Sequence, residues 1–113
     1  MFGLGGWLKK KRSEKTQDLL ALIRLCLETG RYRETNHAVY RKQQRKIILP
    51  EILDVLHNGR HEKRKDKFDE QYKEWNYAVR GKTIIGDDIR IIVSFDRERD
   101  LLIITAFYIK DGK

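Results

Sequence analysis

The chain has 113 residues, of which 37% are charged, and its formal net charge is +8. This length favours a single domain, and no apolar run reaches the roughly 18 residues that a membrane-spanning helix requires. The high pI of about 9.7 favours an anionic partner such as nucleic acid, an acidic protein or an anionic membrane surface.

The chain begins with MFGLGGWLKKKR, in which three glycines interrupt the apolar residues and four cations follow them. We predict a flexible basic tail over residues 1–12 and a single α+β domain over residues 13–113. Contact of this tail with an anionic lipid surface is the alternative, although we expect no membrane partner.

The first predicted helix covers residues 13–29. Apolar residues recur there at helical spacing: Leu19, Ile23 and Cys26. Ser13 or Thr16 is the predicted N-cap, and Gly30 follows the last turn, where a left-handed residue commonly ends a helix. This pattern predicts a helix with one face buried in the core.

Two shorter helices are predicted over residues 35–46 and 50–58. Thr35 or Asn36 is the expected N-cap of the earlier one, and Gly59 marks the end of the later one. The helix over 35–46 has few apolar residues, so its polar face is expected to meet water or a ligand.

Cys26 is the single cysteine of the chain and lies within an apolar helical pattern. We predict a reduced core residue, which is typical of proteins in a reducing cytoplasm. The three histidines and one cysteine do not form a zinc-ligand spacing, so we expect neither a metal nor a cofactor.

From residue 60 onward the hydrophobic pattern becomes that of strands. The charged segment RHEKRKDKF is predicted to be an edge strand, where lysines discourage pairing with other chains. The segments WNYAVRG, DDIRIIVSFD and LLIITAFYI follow, and the last two are predicted to form an antiparallel hairpin. In the middle segment four side chains are expected to point inward: Ile89, Ile91, Val93 and Phe95. This order predicts an α+β fold with three N-terminal helices packed on one face of an antiparallel sheet of about four strands.

The stretch NHAVYRKQQRKI, residues 36–47, contains His37, Arg41 and Arg45 at four-residue intervals. Each such step turns a helix by about 40°, so the three side chains share one face. An imidazole can transfer a proton at neutral pH, and guanidinium groups bind phosphate oxygens. These groups suit RNA cleavage by the 2′-hydroxyl without a metal. The alternative is a solvated basic helix with an incidental histidine.

This stretch also resembles a known family. Its pattern is similar to H-A-x-x-R-x-x-E-R-x-I, found in a small bacterial and phage family of domains of unknown function that is loosely grouped with BrnT- and RelE-like toxins. The matching residues are His37, Ala38, Arg41, Gln44, Arg45 and Ile47. In the family this motif is followed by a helix that ends in N-G, which PEILDVLHNG at 50–59 resembles. The two terminal strands are also similar, and Thr105 and Tyr108 stand at the corresponding places in the last one. The resemblance covers about residues 31–109. Gln44 stands where the motif has glutamate, so a role of that glutamate as a base or in orienting an arginine is lost or weakened here.

The resemblance implies an RNase-toxin-like fold. We therefore expect a metal-independent endoribonuclease of a toxin–antitoxin system that acts in the cytoplasm on RNA, including ribosome-bound mRNA. An acidic antitoxin protein is expected to cover its basic face. The alternative is a non-catalytic module of phage or plasmid origin that binds nucleic acid or an acidic protein.

The remaining predicted site residues follow from position and charge. Residues 31–46 carry six Lys or Arg against one acid, so the positive charge is concentrated near the histidine. The strand pattern places Arg90 away from the inward isoleucines, where it can hold phosphate, and Tyr108 is expected to stack on a base or relay a proton. The predicted catalytic residues are His37, Arg41, Arg45, Arg90 and Tyr108. The predicted nucleic-acid-binding residues are Arg31, Arg33, Lys42, Lys46 and Arg80.

Overall fold

The computed structural model describes residues 12–110, so the predicted tail lies outside the described residues except for Arg12. The helices are α1 (Leu19–Glu28), α2 (Asn36–Arg45) and α3 (Leu49–Asn58), with a 3₁₀ turn at Lys63–Lys65. The strands are β1 (Tyr32–Glu34), β2 (Arg60–His61), β3 (Lys67–Asp69), β4 (Glu74–Lys82), β5 (Asp88–Phe95) and β6 (Leu101–Tyr108). Within 12–110, no helix has the length and apolar character needed to cross a membrane.

The helix α1 begins later than the sequence predicted. Its N-cap is Asp18, whose carboxylate accepts a hydrogen bond from the amide of Ala21 at 3.4 Å. The preceding segment is held against the sheet instead, because the Thr16 amide donates to the Tyr77 hydroxyl at 2.8 Å. The predicted cap at Ser13 or Thr16 is therefore wrong. Thr35 does cap α2, and its hydroxyl accepts from Ala38 at 3.1 Å.

The sheet is mixed rather than antiparallel. Its strand order is β1-β6-β5-β4-β2, and β3 also pairs with β4. The β1–β6 pair is parallel, with Tyr32 opposite Leu101, whereas the other pairs are antiparallel. The α+β class and the β5–β6 hairpin are confirmed. The prediction of about four antiparallel strands after three N-terminal helices is wrong, because six strands are described and β1 precedes α2.

The predicted edge strand over 60–68 is divided into β2, the 3₁₀ turn and β3. The cause is Asp66, whose side chain is fully buried. Its carboxylate accepts from the amide of Ala78 on β4 at 3.0 Å and lies 2.8 Å from the His61 ring nitrogen. This side chain therefore takes the place of a backbone partner for β4 between the two short strands.

The core lies between one face of the sheet and helices α1 and α3. The predicted inward positions on β5 are confirmed, since all four side chains are at most 2% exposed: Ile89, Ile91, Val93 and Phe95. They pack with Ile23 of α1 and with Ile52 and Leu56 of α3. Because neighbouring residues of a strand point to opposite faces, Arg90, Ile92 and Ser94 project from the other side, which we call the far face.

A β-bulge interrupts the β5–β6 pairing. Ile92 lies opposite Thr105, but the next residue, Val93, lies opposite Ile103, so Ile104 is an extra residue in β6. Beyond β1, helix α2 runs beside β6. There the Arg45 guanidinium donates to the carbonyl of Ala106 at 2.8 Å, which satisfies a backbone acceptor at the strand edge.

Candidate nucleic-acid interface

Two arginines from different elements lie close to the ring of Phe107 on the far face. Arg45, in the last turn of α2, donates to the Thr105 hydroxyl at 3.1 Å, and its guanidinium carbon lies 5.7 Å from the centre of the Phe107 ring. The guanidinium carbon of Arg90, which is opposite Phe107 in the β5–β6 ladder, lies 5.8 Å from the same ring. We call Arg45, Arg90 and Phe107 the arginine–phenylalanine cluster.

A buried carboxylate holds Arg90 in place. Arg80 and Arg90 lie directly opposite each other on β4 and β5, an arrangement of like charges that destabilises a sheet unless it is compensated. Glu62 compensates both, because its two oxygens accept from Arg90 at 2.6 Å and from Arg80 at 3.2 Å. Asp88 accepts a further pair of hydrogen bonds from Arg80, at 3.1 and 2.5 Å.

These ion pairs shift the pKa values of the acids and of Arg80. The hydrogen bond from Arg90, with that from Arg80, lowers the pKa of Glu62 below its ordinary 4.5, although burial opposes the shift. The Arg80 guanidinium lowers the pKa of Asp88 below 3.8. In turn, Asp88 and Glu62 raise the pKa of Arg80. Glu62, Asp88 and Arg80 are therefore ionised at neutral pH.

The arginine–phenylalanine cluster borders a cavity of about 340 Å³, which we call the basin. It is lined by Lys65, Lys67, Asn76, Arg90, Ile92 and Phe107. Both lysines are exposed, and neither pairs with a carboxylate among residues 12–110. A surface that combines cations with an aromatic face is suited to the phosphates and bases of a single nucleic-acid strand.

The exposed side of α2 continues this surface. His37 and Arg41 lie within about 80° of Arg45 around the helix axis. Arg41 donates to the side-chain oxygen of Gln44 at 3.3 Å, and the Gln44 amide nitrogen donates to the Tyr40 hydroxyl at 3.0 Å. Gln44 therefore orients an arginine although it lacks the charge of a glutamate. His37 is exposed and makes no hydrogen bond with another residue of the 12–110 segment.

Tyr108 lies on the face opposite the basin. It pairs with Ile89, whereas Arg90 pairs with Phe107, so the tyrosine points to the helix side and packs against the core. Burial, together with the charges of Glu51 and Asp87, raises the pKa of its hydroxyl. The structure thus brings together Arg45 and Arg90 but not Tyr108, and it places Phe107 where a stacking residue was expected.

Most of the cations predicted to bind nucleic acid are engaged by carboxylates. Arg31 pairs with Asp100 at 2.6 Å, Arg33 with Asp96 at 3.0 Å, and Lys42 with Glu34 at 2.8 Å. Arg80 belongs to the Glu62 pairs described above. Lys46 is exposed at the left-handed C-cap of α2, with φ of 58°. Only part of the positive charge of residues 31–46 is therefore available to a ligand.

The turn between β5 and β6 gathers three carboxylates. Ligand oxygens of Asp96, Glu98 and Asp100 lie within 4.8 Å of one another. Asp96 accepts from the amides of Glu98 and Asp100, each at 2.9 Å. The Asp100 amide, with the charge and hydrogen bond of Arg33, lowers the pKa of Asp96. These contacts give the acids a structural role in the turn.

Comparison with known proteins assigns the region that contains this site to a protein family. Residues 35–108 match the family model described as a domain of unknown function, DUF4258. The chain belongs to the DUF4258 family. The match runs from the N-cap of α2 to the end of β6, so the DUF4258 region includes the arginine–phenylalanine cluster and Glu62, while α1 and β1 precede it. No curated protein matches the chain.

The DUF4258 site contains residues that sequence patterns did not reveal. From sequence, Glu62 and the basin lysines are expected only as part of a charged edge strand, and Phe107 only as a strand residue. The only signal for Glu62 is that Arg80 and Arg90 fall on neighbouring strands, which calls for a nearby acid. Phe107 had no comparable signal, because an aromatic residue in a strand more often packs in a core.

We expect the DUF4258 domain to lose stability in acid. A carboxyl group with a lowered pKa stabilises the fold above its unfolded-state pKa, and this contribution is lost as the pH falls through the folded-state value. Because the ordinary values of Glu62 and Asp88 are 4.5 and 3.8, the free energy of unfolding should be constant above about pH 5 and fall below about pH 4. Urea titrations at pH 7 and pH 3 measure the effect, and equal stability at both would contradict it.

Proposed function

We propose that this protein is a toxin-like, metal-independent endoribonuclease that binds single-stranded RNA along the far face. The observation that supports this most is the pair of guanidinium groups around Phe107, one from α2 and one from β5. A phosphate can bridge the two cations while a neighbouring base stacks on the ring. The exposed lysines of the basin extend the positive field along the strand's path.

The proposed chemistry uses the 2′-hydroxyl of RNA as the nucleophile. His37 removes the hydroxyl proton, and the 2′-oxygen attacks the adjacent phosphorus. Arg41 and Arg45 stabilise the negative charge that develops on the phosphorane oxygens. The bond to the 5′-oxygen then breaks, and the imidazolium formed at His37 returns a proton to that oxygen. The products are a 2′,3′-cyclic phosphate and a 5′-hydroxyl.

The same cationic surface suits an inhibitory protein partner. An acidic antitoxin segment laid over the basin would neutralise Lys65 and Lys67 and block access to the arginine–phenylalanine cluster. Such a segment could also add a strand to a sheet edge, which is a common mode of peptide recognition. We therefore propose that RNA, including ribosome-bound mRNA, and an acidic antitoxin compete for this surface.

A second function, RNA binding without cleavage, is supported by one observation. Among residues 12–110, no side chain hydrogen-bonds to the ring of His37, whereas a catalytic histidine is usually oriented by a partner. A binding module needs the cations and Phe107 but not the imidazole. The two functions therefore differ in the effect of replacing His37.

The proposal is tested with purified protein and end-labelled single-stranded RNA. We expect His37→Ala to lower the cleavage rate by about a hundredfold or more and to leave the binding constant unchanged. Arg45→Ala should weaken binding by about tenfold, because a charge-assisted phosphate contact is lost. Arg24→Ala on α1 is the matched control and should change neither quantity.

The outcomes separate the two functions. Cleavage that persists in His37→Ala removes the histidine from the mechanism, and binding without cleavage by the wild-type protein favours the non-catalytic module. An affinity for RNA that does not fall with added salt contradicts both functions, because phosphate binding releases counterions. Thermal melting of each variant verifies that the fold is retained.

A further inference from the structure

A second cavity on the far face adjoins the basin. Its volume is about 530 Å³, within the range of small-ligand pockets, and both cavities are lined by Asn76. Along β5 the basin is lined by Arg90 and the second cavity by Ser94, which is about 14 Å farther along the strand at an ordinary strand rise. A single strand of nucleic acid can therefore occupy both cavities at once.

The second cavity has an apolar wall and an acidic wall. Apolar contact surface comes from Tyr72, Leu102 and Ile104. Tyr72 is 71% exposed, so its ring is accessible for stacking on a planar ligand. The apolar surface and an exposed ring suit a nucleobase, whereas the basin next to it suits phosphate.

The acidic wall includes a carboxylate with unused hydrogen-bonding capacity. Asp69 and Glu74 lie directly opposite each other on β3 and β4, and like charges in this position disfavour the pairing. One oxygen of Asp69 accepts from the amides of Gln71 and Tyr72, at 2.9 and 3.2 Å. Glu74, which is half-buried, accepts no hydrogen bond and forms no ion pair within the described 12–110 segment. A ligand that donates hydrogen bonds to Glu74 would offset the repulsion.

We infer that this cavity binds a guanine base, with Glu74 accepting from its pairing edge. Guanine presents two adjacent donors there, N1–H and the exocyclic amine, which match the two oxygens of a carboxylate. Adenine and cytosine present one amino donor beside an acceptor, and uracil presents a single N–H between two acceptors. The carboxylate therefore distinguishes guanine from the other three bases. This inference rests on the proposed function, because it assumes that RNA occupies the basin.

Fluorescence anisotropy with short oligouridines tests the inference. Each oligonucleotide carries one central guanosine, adenosine, cytidine or abasic residue, and 2′-fluoro sugars remove the attacking hydroxyl so that no cleavage occurs. We expect the wild-type protein to bind the guanosine oligonucleotide about tenfold more tightly than the others. Glu74→Gln should reduce this preference to about twofold or less and leave the affinity for the abasic oligonucleotide unchanged.

Glu70→Gln is the matched control, because Glu70 lies in the same hairpin but is exposed and pairs with Lys73 at 3.9 Å. This variant should retain the full preference. Equal affinity of the wild-type protein for all four oligonucleotides would overturn the inference and leave the proposed function intact, as would a preference that survives Glu74→Gln. An absence of binding to every oligonucleotide, the abasic one included, would overturn both.

Discussion

Replacing Gly59 with alanine is expected to destabilise the protein by about 3 kcal/mol, near the upper end for overpacking. A Cβ atom at this position would lie 2.5 Å from the carbonyl oxygen of Val55 and 2.6 Å from that of Arg80. Both atoms belong to the backbone, so no side-chain rotation relieves the contact. The substitution must push α3 away from β4, where its apolar face packs on the core.

Urea unfolding of Gly59→Ala against wild type measures this effect, which corresponds to a fall in melting temperature of about 12 °C. Gly30→Ala is the control, because Gly30 has φ of +73° but a Cβ atom at this position would meet nothing within 4 Å. It should cost only about 1 kcal/mol, the strain of a left-handed alanine. Gly59 itself has ordinary extended backbone angles, so equal losses in the two variants would contradict the close approach of α3 to β4 as the reason for glycine at this position.

Glu62→Gln is expected to cost about 2 kcal/mol at pH 7. Removing one partner of a buried ion pair usually costs more. Here the cost is smaller, because Arg80 keeps its ion pair with Asp88, whose side chain is 22% exposed to solvent. The glutamine amide can accept from only one arginine, so Arg80 and Arg90 would face each other on neighbouring strands with reduced compensation. The substitution is also expected to disorder the candidate site, because Arg90 loses the 2.6 Å contact with Glu62 that positions its guanidinium group.

Chemical denaturation at pH 7 and pH 3 tests this prediction together with its cause. Glu62→Gln should show a shallower loss of stability in acid than the wild-type protein, because one of the titrating carboxyl groups is gone. Glu98→Gln, which alters an exposed acid of the β5–β6 turn, should be close to neutral. A Glu62→Gln variant as stable as wild type at pH 7 would mean that the arginines do not depend on this carboxylate.

The α+β class and the terminal hairpin could be predicted from sequence because their signals are local. The inward residues of β5 alternate without interruption, and the caps at Thr35 and Gly30 follow from side-chain chemistry and backbone conformation. Strand β1 gave no such signal. Its three residues have no period, and they become a strand through parallel pairing with β6, about seventy positions away. The resemblance to RelE- and BrnT-like toxins stays a prediction.

The candidate site was predicted in part for a similar reason. Sequence shows where cations are concentrated, but it does not show which of them meet an acid in the fold. Arg31 and Asp100 are 69 positions apart, and so little in the local pattern indicates their 2.6 Å contact. Arg45 and Arg90 lie beside the same ring, whereas that ring, Phe107, and the carboxylate that holds Arg90, Glu62, have no local signal in the sequence.

The extra residue in β6 decides which ring lies on the far face of the sheet. Strict alternation from Leu101 would turn Phe107 toward the helices and Tyr108 toward Arg90. The bulge at Ile104 reverses this order. The ring beside the guanidinium groups of Arg45 and Arg90 is therefore the hydrocarbon ring of Phe107 and not the phenol of Tyr108. The Phe107 ring has no proton to gain or lose, so any contact that a ligand made with it would be insensitive to alkali up to the pH at which the protein unfolds.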